Sequence, residues 1–165
     1  MLIGSGGAGK STLACELGRR TGLPVVHLDA LYWQPGWVEP SREEWRATQR
    51  TALDGADWVA DGNYGGTMEE RLPRADLVVL LDYSRWTCLL GVVTRWWRYR
   101  QTPRADMGPD CPERLDLSFL RYVWSYPEKH RPRVLAKVEG YGKNDVLVRL
   151  RNRREARTWL DGMGY

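Results

Sequence analysis

Gly4-Ser5-Gly6-Gly7-Ala8-Gly9-Lys10-Ser11 fits the spacing G-x-x-x-x-G-K-[ST] without a gap. Its glycines let the backbone curl, so that successive N–H groups converge on one anion. The helix that follows presents the positive end of its dipole to the same point. Lys10 is placed to reach the β- and γ-phosphates of a nucleotide, and the Ser11 hydroxyl to bind Mg²⁺. Leu2-Ile3 before the stretch reads as the end of a strand. Lys10 to Thr21 after it reads as a helix, with Leu13, Cys15 and Leu17 on its apolar face and Gly22-Leu23-Pro24 ending it. Strand before and helix after is the context that separates a phosphate loop from a chance glycine-rich turn. The expected cofactors are ATP or GTP with Mg²⁺, held by Gly4, Ser5, Gly6, Gly7, Ala8, Gly9, Lys10, Ser11 and Thr12.

Outward from this loop the chain alternates. Val25 to Leu28 is an apolar run that fits a buried parallel strand, with Asp29 at its carboxyl end. Ala30 to Pro40 reads as an aromatic loop containing Tyr32, Trp33 and Trp37. Ser41-Arg42-Glu43-Glu44 is a capping box that starts a helix running to about Leu53. Asp57 to Asp61 is a short strand that turns at Gly62-Asn63-Tyr64, and Met68 to Leu72 a brief helix. Leu77 to Asp82 is the clearest buried strand. Ser84 to about Tyr99 is helical, Gln101 to Pro112 irregular, and Leu115 to Val138 mostly helical with interruptions at Pro127 and Pro132. Asp145 to Leu150 and Arg154 to Leu160 supply a last strand and helix. This order predicts one α/β domain over 1–165, a parallel sheet flanked by helices.

Composition narrows the class. The 165 residues are 42% hydrophobic and 28% charged, an ordinary globular balance, and no apolar run approaches the ~18 residues of a membrane span. No basic leader precedes Gly4, so a cytoplasmic protein is expected. Cys15, Cys88 and Cys111 are too scattered for a disulfide framework or a zinc site, and His27 and His130 add no ligand-like spacing. The net charge of +4 is carried mainly by arginine, the better bidentate clamp for phosphate oxygens. It suits a nucleotide as well as a nucleic acid.

Ligands of open α/β sheets bind outside the carboxyl ends of the strands. Asp29, Asp61 and Asp82 are expected there. Asp61, before Gly62, is placed to hold a magnesium-bound water together with Ser11. Asp29 would orient or deprotonate an acceptor hydroxyl and would lie beside the phosphate loop if its strand were adjacent. Asp82 reads as a cap for the helix starting at Ser84 or Arg85. Tyr32, Trp33, Trp37, Asn63 and Tyr64 are the candidate acceptor contacts. Arg95, Arg98, Arg100 and Arg104 surround Trp96-Trp97. They fit a closing lid that stabilises phosphoryl transfer, a solvated basic helix face, or a surface for nucleic acid.

The motif set resembles a known family. Gly4 to Thr12, His27-Leu28-Asp29 with Tyr32-Trp33 and Gly36-Trp37, Asp61-Gly62-Asn63-Tyr64, Arg104 to Met107, Cys111 to Arg114 and Trp124 are similar to the bacterial DNA topology modulation proteins of the FlaR type, within the adenylate-kinase-like group. The resemblance implies a nucleoside-monophosphate-kinase-like fold with a five-stranded parallel sheet, a substrate-binding segment at 30–56 and a helical arginine lid at 95–118. It implies Lys10, Asp29, Asp61, Arg95, Arg98 and Arg104 as catalytic, and Asn152 and Arg153 beside the nucleotide base. Asn63-Tyr64 stands where adenylate kinases carry Phe-Pro-Arg, and Gly91 where they carry the first of two lid-side arginines, the second matching Arg95. Those departures argue against AMP as the acceptor. The implied activity is ATP-dependent transfer to a nucleotide or a small hydroxyl or phosphate acceptor. The alternative is a regulatory nucleotide-binding protein acting on DNA topology. Expected partners are a nucleotide and a small acceptor, with nucleic acid less favoured, no membrane, and a monomer or homodimer.

Overall fold

The computed structural model describes residues 1–100 and 106–164. Five strands, β1 (Leu2–Gly4), β2 (Val25–His27), β3 (Val59–Asp61), β4 (Val78–Leu81) and β5 (Leu147–Leu150), form one parallel sheet in the order β2-β3-β1-β4-β5. Seven helices cover it: α1 (Lys10–Thr21), α2 (Leu28–Tyr32), α3 (Arg42–Ala52), α4 (Arg85–Tyr99), α5 (Leu117–Ser125), α6 (Arg131–Gly140) and α7 (Arg153–Asp161). This is the expected α/β architecture.

Alternation along the strands sorts the helices onto two faces. Leu2, Val79 and Leu81 point to a cluster completed by Leu13 and Leu17 of α1, Cys88 and Val92 of α4, Val123 of α5, and Ala156 and Leu160 of α7. Ile3, Val78 and Leu80 point the other way, to Met68, Leu72 and the α6 residues Val134 and Val138. The chain leaves β1, builds β2 and β3 on one side, then crosses to β4 on the other. β1 therefore ends at the point where strand order reverses, the place where such sheets bind ligands.

Several expectations are corrected. β3 lies between β1 and β2, so the Asp29 strand is not adjacent to the phosphate-loop strand. β2 is consequently an edge strand and only half-buried. It also stops one residue early: Leu28 opens α2, so Asp29 sits in a helical turn and the loop begins after Tyr32. The brief helix near Met68 is a 3-10 segment over Gly65–Glu70. The break near Pro127 is a π turn, Tyr126–His130, and Pro132 falls in the first turn of α6, where a missing donor costs nothing. Asp82 does not cap α4; Ser84 does, accepting from the Thr87 N–H. Asp82 instead accepts from Arg131 at 2.9 Å and from Arg149 at 2.8 Å. Burial opposes its ionisation, but these two arginines outweigh it and hold the carboxyl below its usual range. Among the described residues no helix is long and apolar enough to cross a membrane.

A close backbone contact ties α4 to the loop between β1 and α1. A Cβ on Gly91 of α4 would stand 2.1 Å from the Gly7 carbonyl oxygen, and one on Gly7 would stand 2.1 Å from the Cys88 oxygen. The expected outcome is that Gly91→Ala destabilises the chain by about 1–3 kcal/mol through overpacking. Gly140→Ala, in a helical position with nothing within 4 Å, should be neutral or slightly stabilising. Urea denaturation of both variants checks this, and equal midpoints would refute the contact.

Candidate functional site

The loop between β1 and α1 is shaped by left-handed glycines, with φ of 75° at Gly7 and 91° at Gly9. Gly9 caps α1 without a side-chain hydrogen bond, and the first turn contains no acid. The orphan N–H groups of that turn and the helix dipole are thus left for an anion. Asn63 straps the start of the loop: its Oδ1 accepts from the Gly4 N–H at 2.9 Å, and its Nδ2 donates to the Gly4 oxygen at 2.6 Å. Lys10 curls back to donate to the Ser5 oxygen at 3.0 Å. Desolvation pulls its ammonium below the usual lysine range, while Asp29 and Asp61 oppose that shift and Arg95 adds to it. These four charges therefore share one neighbourhood.

Asp29 accepts from the Tyr64 hydroxyl at 2.6 Å. Burial, then the adjacent carboxylate, keep that phenol neutral far above its ordinary range, so Tyr64 remains a donor. Asp61 is buried, and the parallel register sets it beside His27, whose Nδ1 lies 2.6 Å from Oδ1. This bond raises the imidazole above its usual 6.5 against the opposing effect of burial. The other ring nitrogen lies 3.6 Å from Cys15 Sγ.

A cleft of about 1140 Å³ is lined by Lys10, Asp29 and Tyr64 of these groups. Loop residues Gly6 to Thr12 form its floor. Asp29, Asn63, Tyr64, Arg95, Arg98 and Asp106 line it, as do Arg19, Arg20, Tyr83, Arg153 and Arg157. Gly4, Ser5 and Asp61 do not line it. Asn152 caps α7, accepting from the Glu155 N–H, and leaves Arg153 to line the cleft.

The remaining expected contacts fall elsewhere. Tyr32 lines a smaller cavity of about 320 Å³ with Glu39, Trp45 and Tyr64. Trp33 and Trp37 pack edge to face at 5.2 Å and meet the segment after α4. There the Gly36 N–H donates to the Asp110 oxygen, Cys111 to the Gln34 oxygen, and Arg114 stacks on Trp37 at 4.7 Å. That segment is not helical over its described part, residues 106–116; the helices are α4 and α5 on either side. Arg95 donates to Glu113 of the same segment at 2.6 Å. Arg104 lies outside the described residues.

Two placements are not legible in the sequence. Arg71 is completely buried, and its guanidinium donates to Gln49 Oε1 at 2.6 Å, to the Gly62 oxygen at 3.1 Å and to the Asn63 oxygen. Burial pushes it down to about 10. It fixes the turn that carries Asn63 and Tyr64. Nothing in Met68 to Leu72 marks one arginine as internal. Arg19, Arg20 and Arg157 were missed as well; only their helical spacing from Glu16 and Arg153 could have placed them on one side.

Comparison with known proteins adds little. No protein-family model matches the chain, and no curated protein matches it, so the resemblance rests on the motifs alone. Among solved structures, a deoxyadenosine kinase from M. mycoides with bound dCTP aligns at 12% identity with a TM-score of 0.47, covering 98% of this chain and 96% of that one. At that similarity it carries no argument about chemistry.

If Asn63 shapes the loop, Asn63→Ala should cost about 2–4 kcal/mol by stranding both backbone groups of Gly4, and should weaken nucleotide binding. Asn152→Ala should cost only about 1 kcal/mol, the loss of a cap, with nucleotide affinity unchanged. Thermal denaturation with nucleotide titration separates the two; equal losses of affinity would sink the assignment.

Proposed function

We propose that this chain is an ATP- and Mg²⁺-dependent phosphotransferase of the adenylate-kinase-like type, acting on a nucleotide or another small hydroxyl or phosphate acceptor. One observation carries the reading: Lys10 and the glycine loop line the same cleft as Asp29, which accepts from Tyr64. A carboxylate there favours a hydroxyl acceptor, because it can take the proton that attack releases.

The loop fits a triphosphate: it has glycine-shaped amides, an uncapped helix start and a lysine. Lys10 and these amides bind the β- and γ-phosphates, and Arg153 and Arg157 flank the nucleotide's other end. Ser11 and Asp61 would hold Mg²⁺, which supplies charge neutralisation at the phosphates; Asp61 would act through water, since it is buried against His27. Asp29 receives the acceptor proton as the acceptor oxygen bonds to phosphorus and the bond to the departing ADP breaks. Arg95 and Arg98 stabilise the charge on the transferring group, and Arg95 exchanges Glu113 for phosphate as it does so.

The test is ADP release across a panel of nucleosides, nucleoside monophosphates and hydroxylated metabolites. With the true acceptor, Lys10→Ala lowers turnover at least about tenfold with the fold intact. Asp29→Asn lowers kcat about 10²–10⁴-fold while ATP affinity holds. Acceptor-independent ATP turnover by both variants, or salt-dependent DNA binding with no acceptor-stimulated turnover, would replace this reading with the regulatory one.

A further inference from the structure

Ten large hydrophobic side chains are exposed among the described residues, and six of them sit on α4 and α5: Trp86, Leu90, Val93, Trp97, Leu117 and Trp124. Of the other four, Leu115 stands just before α5, and Leu31, Val38 and Tyr141 stand apart along the chain. On α4 the exposed residues recur at intervals of four, three and four, so they form one stripe along the helix. Cys88, Gly91 and Val92 occupy the opposite side against the core and the phosphate loop. The stripe is therefore not an overflow of the core. Trp86 and Trp97 are 68% and 65% exposed, Leu90 65%.

The stripe is palindromic. Its order is Trp, Leu, Val, Trp, and its spacing is the same read from either end. A half-turn about its midpoint exchanges Trp86 with Trp97 and Leu90 with Val93. A second copy laid antiparallel thus sets indole against indole at both ends and aliphatic against aliphatic in the middle. Such self-complementarity is what an isologous two-fold contact requires. Opposed helix dipoles favour the same orientation.

The neighbouring helix widens the patch. Trp124 of α5 contacts Trp86 edge to face at 5.0 Å. Arg85 stacks on Trp124 at 4.7 Å and Arg100 on Trp97 at 3.9 Å, which gives each end a polar rim. Arg85 is neutralised by Glu128, so the ends of two copies do not simply repel. At about 200 Å² for an aromatic side chain and somewhat less for Leu or Val, the six residues expose roughly 700 Å². That is more than the roughly 300–600 Å² of the largest patch on a typical monomer. It approaches the roughly 800 Å² each partner gives to a standard interface.

We infer that a second copy of this chain covers the exposed face of α4 and α5, forming a two-fold dimer in which Leu90 of one copy meets Val93 of the other. The contact braces α4, whose opposite side packs on Gly7 of the phosphate loop and whose last turns carry Arg95.

Sedimentation velocity on the full chain tests this. Wild type sediments at about twice its 19.1 kDa. Leu90→Glu and Val93→Lys each weaken association about a hundredfold or more, with far-UV circular dichroism unchanged. Mixing the two variants restores the dimer, because position 90 faces position 93. A chain carrying Leu90→Cys and Val93→Cys cross-links to its partner under mild oxidation, a readout that does not depend on how the charged variants fold. A wild type that stays monomeric at about 100 μM overturns the inference. So does a dimer that Leu90→Glu leaves intact, or one that the cysteine pair fails to cross-link. A monomer that co-sediments with phosphatidylglycerol vesicles overturns it too, in favour of a lipid surface.

Discussion

Two glycines from distant parts of the chain, Gly7 and Gly91, meet backbone to backbone, and neither can carry a side chain where it stands. This contact couples the anion cradle to α4. The loop leans on the Cys88 oxygen and on Val92, and Gly6 lies under Phe119 and Val123 of α5. The loop is thus enclosed between its own helix and a helical hairpin rather than standing free on the sheet. This packing holds the loop amides in place, the rigidity that the proposed transfer would draw on.

The Asp29 side of the cleft is held by a second fixed unit, the turn at Gly62-Asn63-Tyr64. Arg71 pins its carbonyls from inside, Asn63 grips Gly4, and Tyr64 donates to Asp29. One buried arginine therefore acts on both ends of the proposed reaction, because the groups it orients reach the phosphate loop on one side and the carboxylate on the other. All three of its acceptors are neutral oxygens, so the cost of burying its charge is offset by hydrogen bonds to dipoles rather than by an ion pair. The aromatic side chains nearby serve this frame. Tyr32, Trp45 and Tyr64 pack on one another, and Trp33 and Trp37 receive the segment that follows α4.

The residues themselves determined the glycine-shaped loop between a strand and a helix, the parallel α/β architecture and the place of Asp61 and Asp82 at strand ends. Each depends on short-range pattern: glycine spacing, apolar runs of strand length, and a capping box at Ser41 that the structure reproduces bond for bond. Strand order decided the rest. β3 entered between β1 and β2, which set Asp61 against His27 and swung Asp29 into the cleft from a helical turn rather than from a neighbouring strand. Ser84 took the cap expected of Asp82 because two arginines, 49 and 67 residues away in sequence, had already claimed that carboxylate. The internal place of Arg71, the Gly7–Gly91 contact and the outward face of α4 were likewise decided only by tertiary packing. A helix with apolar residues on both sides reads from its sequence simply as buried. Which side meets the core depends on where the other helices lie, and that is a property of long-range contacts that no local pattern encodes.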